Sequence, residues 1–209
     1  GADGQTSTAN NNLVTINVTQ SGSLINSLYD QTSANIKITT AEGVTLNQSD
    51  VDQITRYAHV TKDLSIDIKD AKIGAGINLD FVMCYSLKSI SLPNSLTSIA
   101  DNAFYNCSSL TSVVIPNSVT SIGSESFRYC TVLTSIVIPN GVTSIEMMAF
   151  SDCTGLTSVT INAVIPPSLS HNIFYNTNTA LQIKVPAASQ DAYKAATFWN
   201  LYADKIVSQ

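Results

Sequence analysis

The chain has 209 residues, enough to bury a substantial core in one domain or in one domain with an attached subdomain. Charged residues make up only 12% and the net charge is −5; polarity comes instead from 27 serines, 22 threonines and 18 asparagines. With no basic run, and no apolar stretch near the roughly 18 residues of a membrane span, the composition excludes nucleic-acid-binding, coiled-coil, collagen-like and transmembrane classes.

In chain order, Gly1 to Asn12 is small and polar and reads as a disordered leader. No signal peptide is visible. That fits a cytoplasmic protein or a chain beginning after a cleavage site, and the Ser/Thr/Asn-rich acidic surface favours the second. Leu13 to Val18 alternates apolar and polar residues as an edge strand does. Ser23 to Gln31 reads as a helix, and so does Gln48 to His59, with Ser49 or Asp50 as its N-cap. Residues 13–63 are expected to form an N-terminal cap with helices, or alternatively a small separate domain.

The middle of the chain repeats itself at a fixed interval, the one that separates Phe81 from Phe104. Phe81, Phe104, Phe127 and Phe150 form one column; Cys84, Cys107, Cys130 and Cys153 form a second; Leu87, Leu110, Leu133 and Leu156 a third. Pro93, Pro116 and Pro139, and then Ile99, Ile122 and Ile145, keep the same register. Within one unit, Leu133 to Ile138 reads as a strand with Leu133, Ile136 and Ile138 inward. Pro139 ends it, because proline cannot donate to a ladder, and Asn140-Gly141 turns the chain. Val142 to Ile145 is a second extended piece, and Ala149-Phe150-x-x-Cys153 a short helical turn. One unit cannot bury its apolar side, but stacked units can. The expected fold is an α/β solenoid with a parallel sheet on one face, strands ~4.8 Å apart, and short helical turns opposite.

The repeated string L-T-S-I-x-I-P-N-x-V-T-S-I-x-x-x-A/S-F-x-x-C, clearest over Leu110 to Cys130 and Leu133 to Cys153, resembles the BspA-type leucine-rich repeat of bacterial surface proteins. The resemblance extends over about 64–185, beginning with Leu64 to Ala71 as a degenerate unit one residue out of register; Ile36-Lys37-Ile38 resembles an earlier one. Residues 186–209, with Ser189 as the N-cap of a helix and Trp199 the single tryptophan, resemble the C-terminal helical cap of such arrays. The resemblance implies a non-enzymatic adhesion or interaction module, on the cell surface or secreted. That reading includes an outer-membrane lipoprotein. The partner would be an extracellular protein or glycan, with no cofactor and a monomer favoured. A carbohydrate-binding accessory and a ligand-free structural spacer are the alternatives.

The cysteines read as a ladder of buried thiols rather than a zinc site, since no C-x₂₋₄-C pairs occur with His. Disulfides are disfavoured if helical turns hold adjacent units ~10 Å apart, beyond the roughly 7 Å reach of the bond. His59 and His171 fall in different caps, no nucleophile elbow or phosphate loop is present, and only three glutamates occur, so no catalytic set emerges. Asp63, Asp67 and Asp70 lack the loop pattern of a calcium site and read as a solvated strand end. Two surfaces are left. One is the outward columns of the sheet, Lys88, Thr111, Thr134 and Thr157, then Ser91, Val114, Val137 and Thr160, which read either as a binding face or as ordinary solvated strand. The other is a flank of tyrosines near the Phe/Cys turn, Tyr85, Tyr105, Tyr129 and Tyr175, which read as sugar or protein contacts or as half-buried rings.

Overall fold

A computed structural model describes residues 13–24, 28 and 33–209. The expected leader over 1–12 and most of the expected helix over 23–31 lie outside them. The first half of the chain carries β1 (Leu13–Val18), β2 (Asn35–Thr40), α1 (Gln48–Val60), β3 (Leu64–Asp67), β4 (Leu87–Ser91), β5 (Ser98–Ile99) and β6 (Ser112–Val114). There follow β7 (Ser121–Ile122), β8 (Ser135–Ile138), β9 (Ser144–Ile145), β10 (Ser158–Ile161), β11 (Ser168–Leu169), β12 (Gln182–Val185), α2 (Gln190–Ala195) and β13 (Ile206–Ser208).

All strand pairings among the described residues are parallel, as a coil that always turns the same way requires. The main face is one sheet in the order β1-β2-β3-β4-β6, followed by a second in the order β8-β10-β12-β13, with β6 lying beside β8. A third sheet, β5-β7-β9-β11, is built from the two-residue strands of each coil. Along β8, Ile136 and Ile138 are buried while Ser135 and Val137 are exposed, the period-two pattern of a strand over a core. The out-of-register unit is real. Leu64 pairs with Leu87 but Ser65 with Ser89, so Lys88 is a bulged residue.

The side opposite the sheet differs from the expected helical turns. It is a stack of β-turns, each coil carrying residues in the left-handed region, such as Glu125 (φ 54°), Tyr129 (φ 63°), Met148 (φ 55°) and Asp152 (φ 60°). These break the i→i−4 ladder and redirect N–H groups to the next coil. Phe104 donates to the Ser126 carbonyl at 2.7 Å, and Phe127 to that of Ala149 at 2.8 Å. Both sides of the coil therefore stack at close to strand spacing, not ~10 Å. The four phenylalanines stack nearly parallel, with centroids 5.4, 5.2 and 5.2 Å apart, and Phe174 extends the column at 5.7 Å. The four cysteines are free and buried. Distance is not what keeps them unpaired. In parallel register three of the thiols instead donate to the carbonyl of a phenylalanine in the preceding coil: Cys107 to Phe81 (3.1 Å), Cys130 to Phe104 (3.3 Å) and Cys153 to Phe127 (3.0 Å).

The N-cap of α1 is Asn47 rather than Ser49 or Asp50. Its side chain accepts from the Asp50 N–H, and the Asp50 carboxylate accepts from the Asn47 N–H, both at 3.0 Å. Asp50 is buried and also accepts from the N–H groups of Gly22 and Leu24, which pins residues 22–24 to the helix start. At the other end, Ser189 precedes α2 without a side-chain capping bond. Buried Tyr193 and Trp199 meet edge to face at 5.0 Å and donate to the carbonyls of Ala163 and Pro167, both at 2.7 Å. The C-terminal segment is not wholly helical, since β13 closes the sheet by pairing with β12.

Candidate binding surfaces

The outer sheet face places Ser91 opposite Val114, and Val137 opposite Thr160, on successive strands. Val114 and Val137 are 55% and 53% exposed, while Ser91 and Thr160 are half-buried. The row continues to Asp67 and Lys37 at one end and to Lys184 and Val207 at the other. The second outward row is not the one expected. In register along the face stand Ser89 and Ser112, then Ser135 and Ser158. A serine at each of these positions, one repeat interval apart, was the available signal. Lys88, Thr111, Thr134 and Thr157 are exposed, one residue earlier, at the rim of the face. There Thr111 and Thr157 spend their hydroxyls on the carbonyls of Lys88 (3.0 Å) and Thr134 (3.2 Å), and Lys88 pairs with Asp63 at 2.9 Å. From β4 to β10 the outward rows carry serine, threonine and valine and no charge.

The tyrosine flank does not form one platform. Tyr105 and Tyr129 meet edge to face at 5.6 Å, with planes 86° apart, and the Arg128 guanidinium covers Tyr129 at 4.7 Å from the ring centre. Tyr85 and Tyr175 are 51% and 62% exposed and make no ring contact with that pair. Arg128 bonds to Glu125 (2.9 Å) and Asp152 (3.0 Å), and Asn176 also donates to Asp152 (2.9 Å). Burial works to raise the Asp152 carboxyl. Hydrogen bonds from Asn176, Arg128 and Ser151 outweigh it and hold that group below the usual carboxylate range.

One pair escaped the sequence reading: the Cys84 sulfur lies 3.7 and 3.6 Å from the two ring nitrogens of His59. Burial first, then the Asp80 charge, pushes the Cys84 thiol up to about 12, which favours the protonated thiol at neutral pH. His171 packs against Phe198 at 4.6 Å. Among the described residues no three His, Cys, Asp or Glu side chains converge as a metal site, and no helix is long and apolar enough to cross a membrane.

Parallel coils of constant length with phenylalanine and cysteine ladders match a known repeat: six copies of the BspA type leucine-rich repeat region cover residues 78–202. The chain belongs to the BspA-type leucine-rich repeat family. Among solved structures it is similar to a leucine-rich repeat protein of T. pallidum, at 22% identity and a TM-score of 0.50, over 86% of this chain and 80% of that one. A leucine-rich repeat protein of Bacteroides ovatus shares 27% identity over 83% of this chain and 42% of that one, with a TM-score of 0.49. No curated protein matches the chain in sequence. Membership of this leucine-rich repeat family points to a protein-interaction module, a role that is typically non-enzymatic, and proteins of this type are typically bacterial surface or secreted proteins.

Proposed function

We propose that this leucine-rich repeat chain is a recognition or adhesion module of a bacterial cell surface that binds an extracellular protein through its outer sheet face. The observation that carries this is the pair of valines, Val114 and Val137, more than half exposed at the centre of a flat, uncharged, serine-lined face. An apolar centre with a hydroxyl surround suits a protein partner, whose polar groups the serines can satisfy. A glycan partner has less support. Sugar stacking needs exposed, coplanar rings, whereas Tyr105 and Tyr129 are perpendicular and Tyr129 is capped by Arg128.

The test is binding of the purified chain to a panel of extracellular-matrix proteins and glycans, beside a Val114→Lys/Val137→Lys variant. Selective protein binding that the variant loses is the expected result. Binding that survives in the variant would overturn the outer face as the site, and glycan-only binding would overturn the choice of partner.

A further inference from the structure

The third sheet has an unfinished edge. In each coil from β7 onward, two backbone N–H groups reach back to the preceding coil. Thr120 donates to Thr97 and Gly123 to Ile99; Thr143 donates to Thr120 and Glu146 to Ile122; Ser168 donates to Thr143 and Ser170 to Ile145. At the edge strand β5, the corresponding N–H groups of Thr97 and Ala100 have no partner among the described residues.

The preceding coil has left its place. One repeat interval before Ile99 stands Gly76, just as Phe81 stands one interval before Phe104. Glycine thus occupies the position where the buried column Ile99-Ile122-Ile145 would have its next member. Gly76 has φ +74°, in the left-handed region, and a Cβ there would meet nothing within 4 Å. The Gly74 N–H donates to the Leu46 carbonyl, so this segment pairs with the earlier coil, and its one bond toward β5 is from the Ile73 N–H to the Ser95 hydroxyl at 3.4 Å, ahead of Thr97. On both sides of the gap the coils are closed, by Asn94 to Lys69 at 2.9 Å and by Phe81 to Ala103 at 2.7 Å. Between them lies a hollow of about 380 Å³, with Leu92, Leu96, Ile99 and Phe104 among its walls and Gly74 and Gly76 on the far side.

We propose that this slot binds an extended peptide segment of a partner protein, added as a parallel strand to β5. Its backbone carbonyls accept from Thr97 and Ala100, and a branched apolar side chain fills the hollow beside Ile99. Two features select a peptide over a small apolar molecule. The two orphan donors call for acceptors spaced as Thr97 and Ile99 are for the next coil, two residues apart on an extended backbone. An apolar molecule would fill the volume and leave both N–H groups unpaired. The site is separate from the outer face and does not depend on it.

The test is amide hydrogen exchange on the full chain, followed by NMR. The probe is a blocked synthetic peptide with the sequence of residues 140–146, whose Thr143 and Ile145 carbonyls already do this work within the protein. In the free chain the Thr97 and Ala100 amides should exchange at least about tenfold faster than those of Thr120 and Gly123. Millimolar peptide should slow both by about tenfold or more. Thr97→Pro deletes one donor while keeping the carbonyl that serves Thr120, and should abolish that protection; Thr97→Val, which keeps the N–H, should not. Protection of Thr97 and Ala100 in the free chain would overturn the proposal, because the 74–76 segment would then close the edge itself. So would a peptide that leaves both rates unchanged.

Discussion

Phe127 has a phenyl ring on each side, 5.2 Å from Phe104 and 5.2 Å from Phe150, and no exposed surface. Phe127→Ala opens a cavity that neighbours held on both sides cannot collapse into, and should lower the unfolding free energy by about 3–5 kcal/mol. The adjacent residue should move the other way. Ser126 stands where neighbouring coils have Ala103 and Ala149, and its hydroxyl is buried without a partner. Ser126→Ala should therefore raise stability by about 1 kcal/mol, and urea denaturation of the two variants checks both signs. The thiol ladder gives a third expectation at this scale. Burial pushes the Cys153 thiol from 9.0 up to about 12, as it does that of Cys84. The unfolded chain loses these protons from about pH 9 while the folded chain keeps them, so the unfolded state binds fewer protons in that window. Stability is full below about pH 9 and should fall as pH rises from there toward 12, read as a declining urea midpoint.

Among the elements, α1 is tied at its start to residues 22–24 through one carboxylate. Asp50 accepts from three backbone N–H groups, those of Gly22, Leu24 and Asn47. Asp50→Ala leaves all three short of an acceptor and should cost about 3 kcal/mol, against about 1 kcal/mol for Asn47→Ala, by thermal or urea unfolding. This junction also shows what a sequence can and cannot reveal. Asn47-Gln48-Ser49-Asp50 offers several polar starts for the same helix, and only the contact with residues 22–24, remote in sequence, distinguishes Asn47 as the cap and Asp50 as its partner. The coil itself was legible because each side chain has one task per turn: leucine and isoleucine inward, proline to end the strand, phenylalanine and cysteine stacked. Its turn side was misread because the Phe-x-x-Cys spacing suits a helical turn and a β-turn equally. The residues that take positive φ decide between them, and Glu125, Tyr129 and Met148 conceal what Asn102 and Asn106 would have signalled. The outer face was half legible. Val114 and Val137 follow from alternation, but two residues separate inward Leu87 from inward Ile90, and alternation alone does not say that Ser89 and Ser112, rather than Lys88 and Thr111, stand in the row.

At the scale of the whole molecule, the repeat builds a solenoid with distinct sides. One side is sealed by the Phe and Cys ladders. Another is a flat sheet with an apolar centre, and the third ends in an open strand. Rigid solenoids of this kind recognise partners by presenting a preformed surface, so affinity should reside in a few side chains at its centre. The most direct test compares three chains against one protein selected from the extracellular panel: the wild type, Val114→Lys/Val137→Lys, and Val60→Lys as a folded control altered at an exposed residue of α1, away from both proposed sites. Equilibrium binding by surface plasmon resonance should show the double variant weakened by at least about thirtyfold and the control unchanged. Equal affinity of the double variant and the wild type would contradict recognition by the outer sheet face.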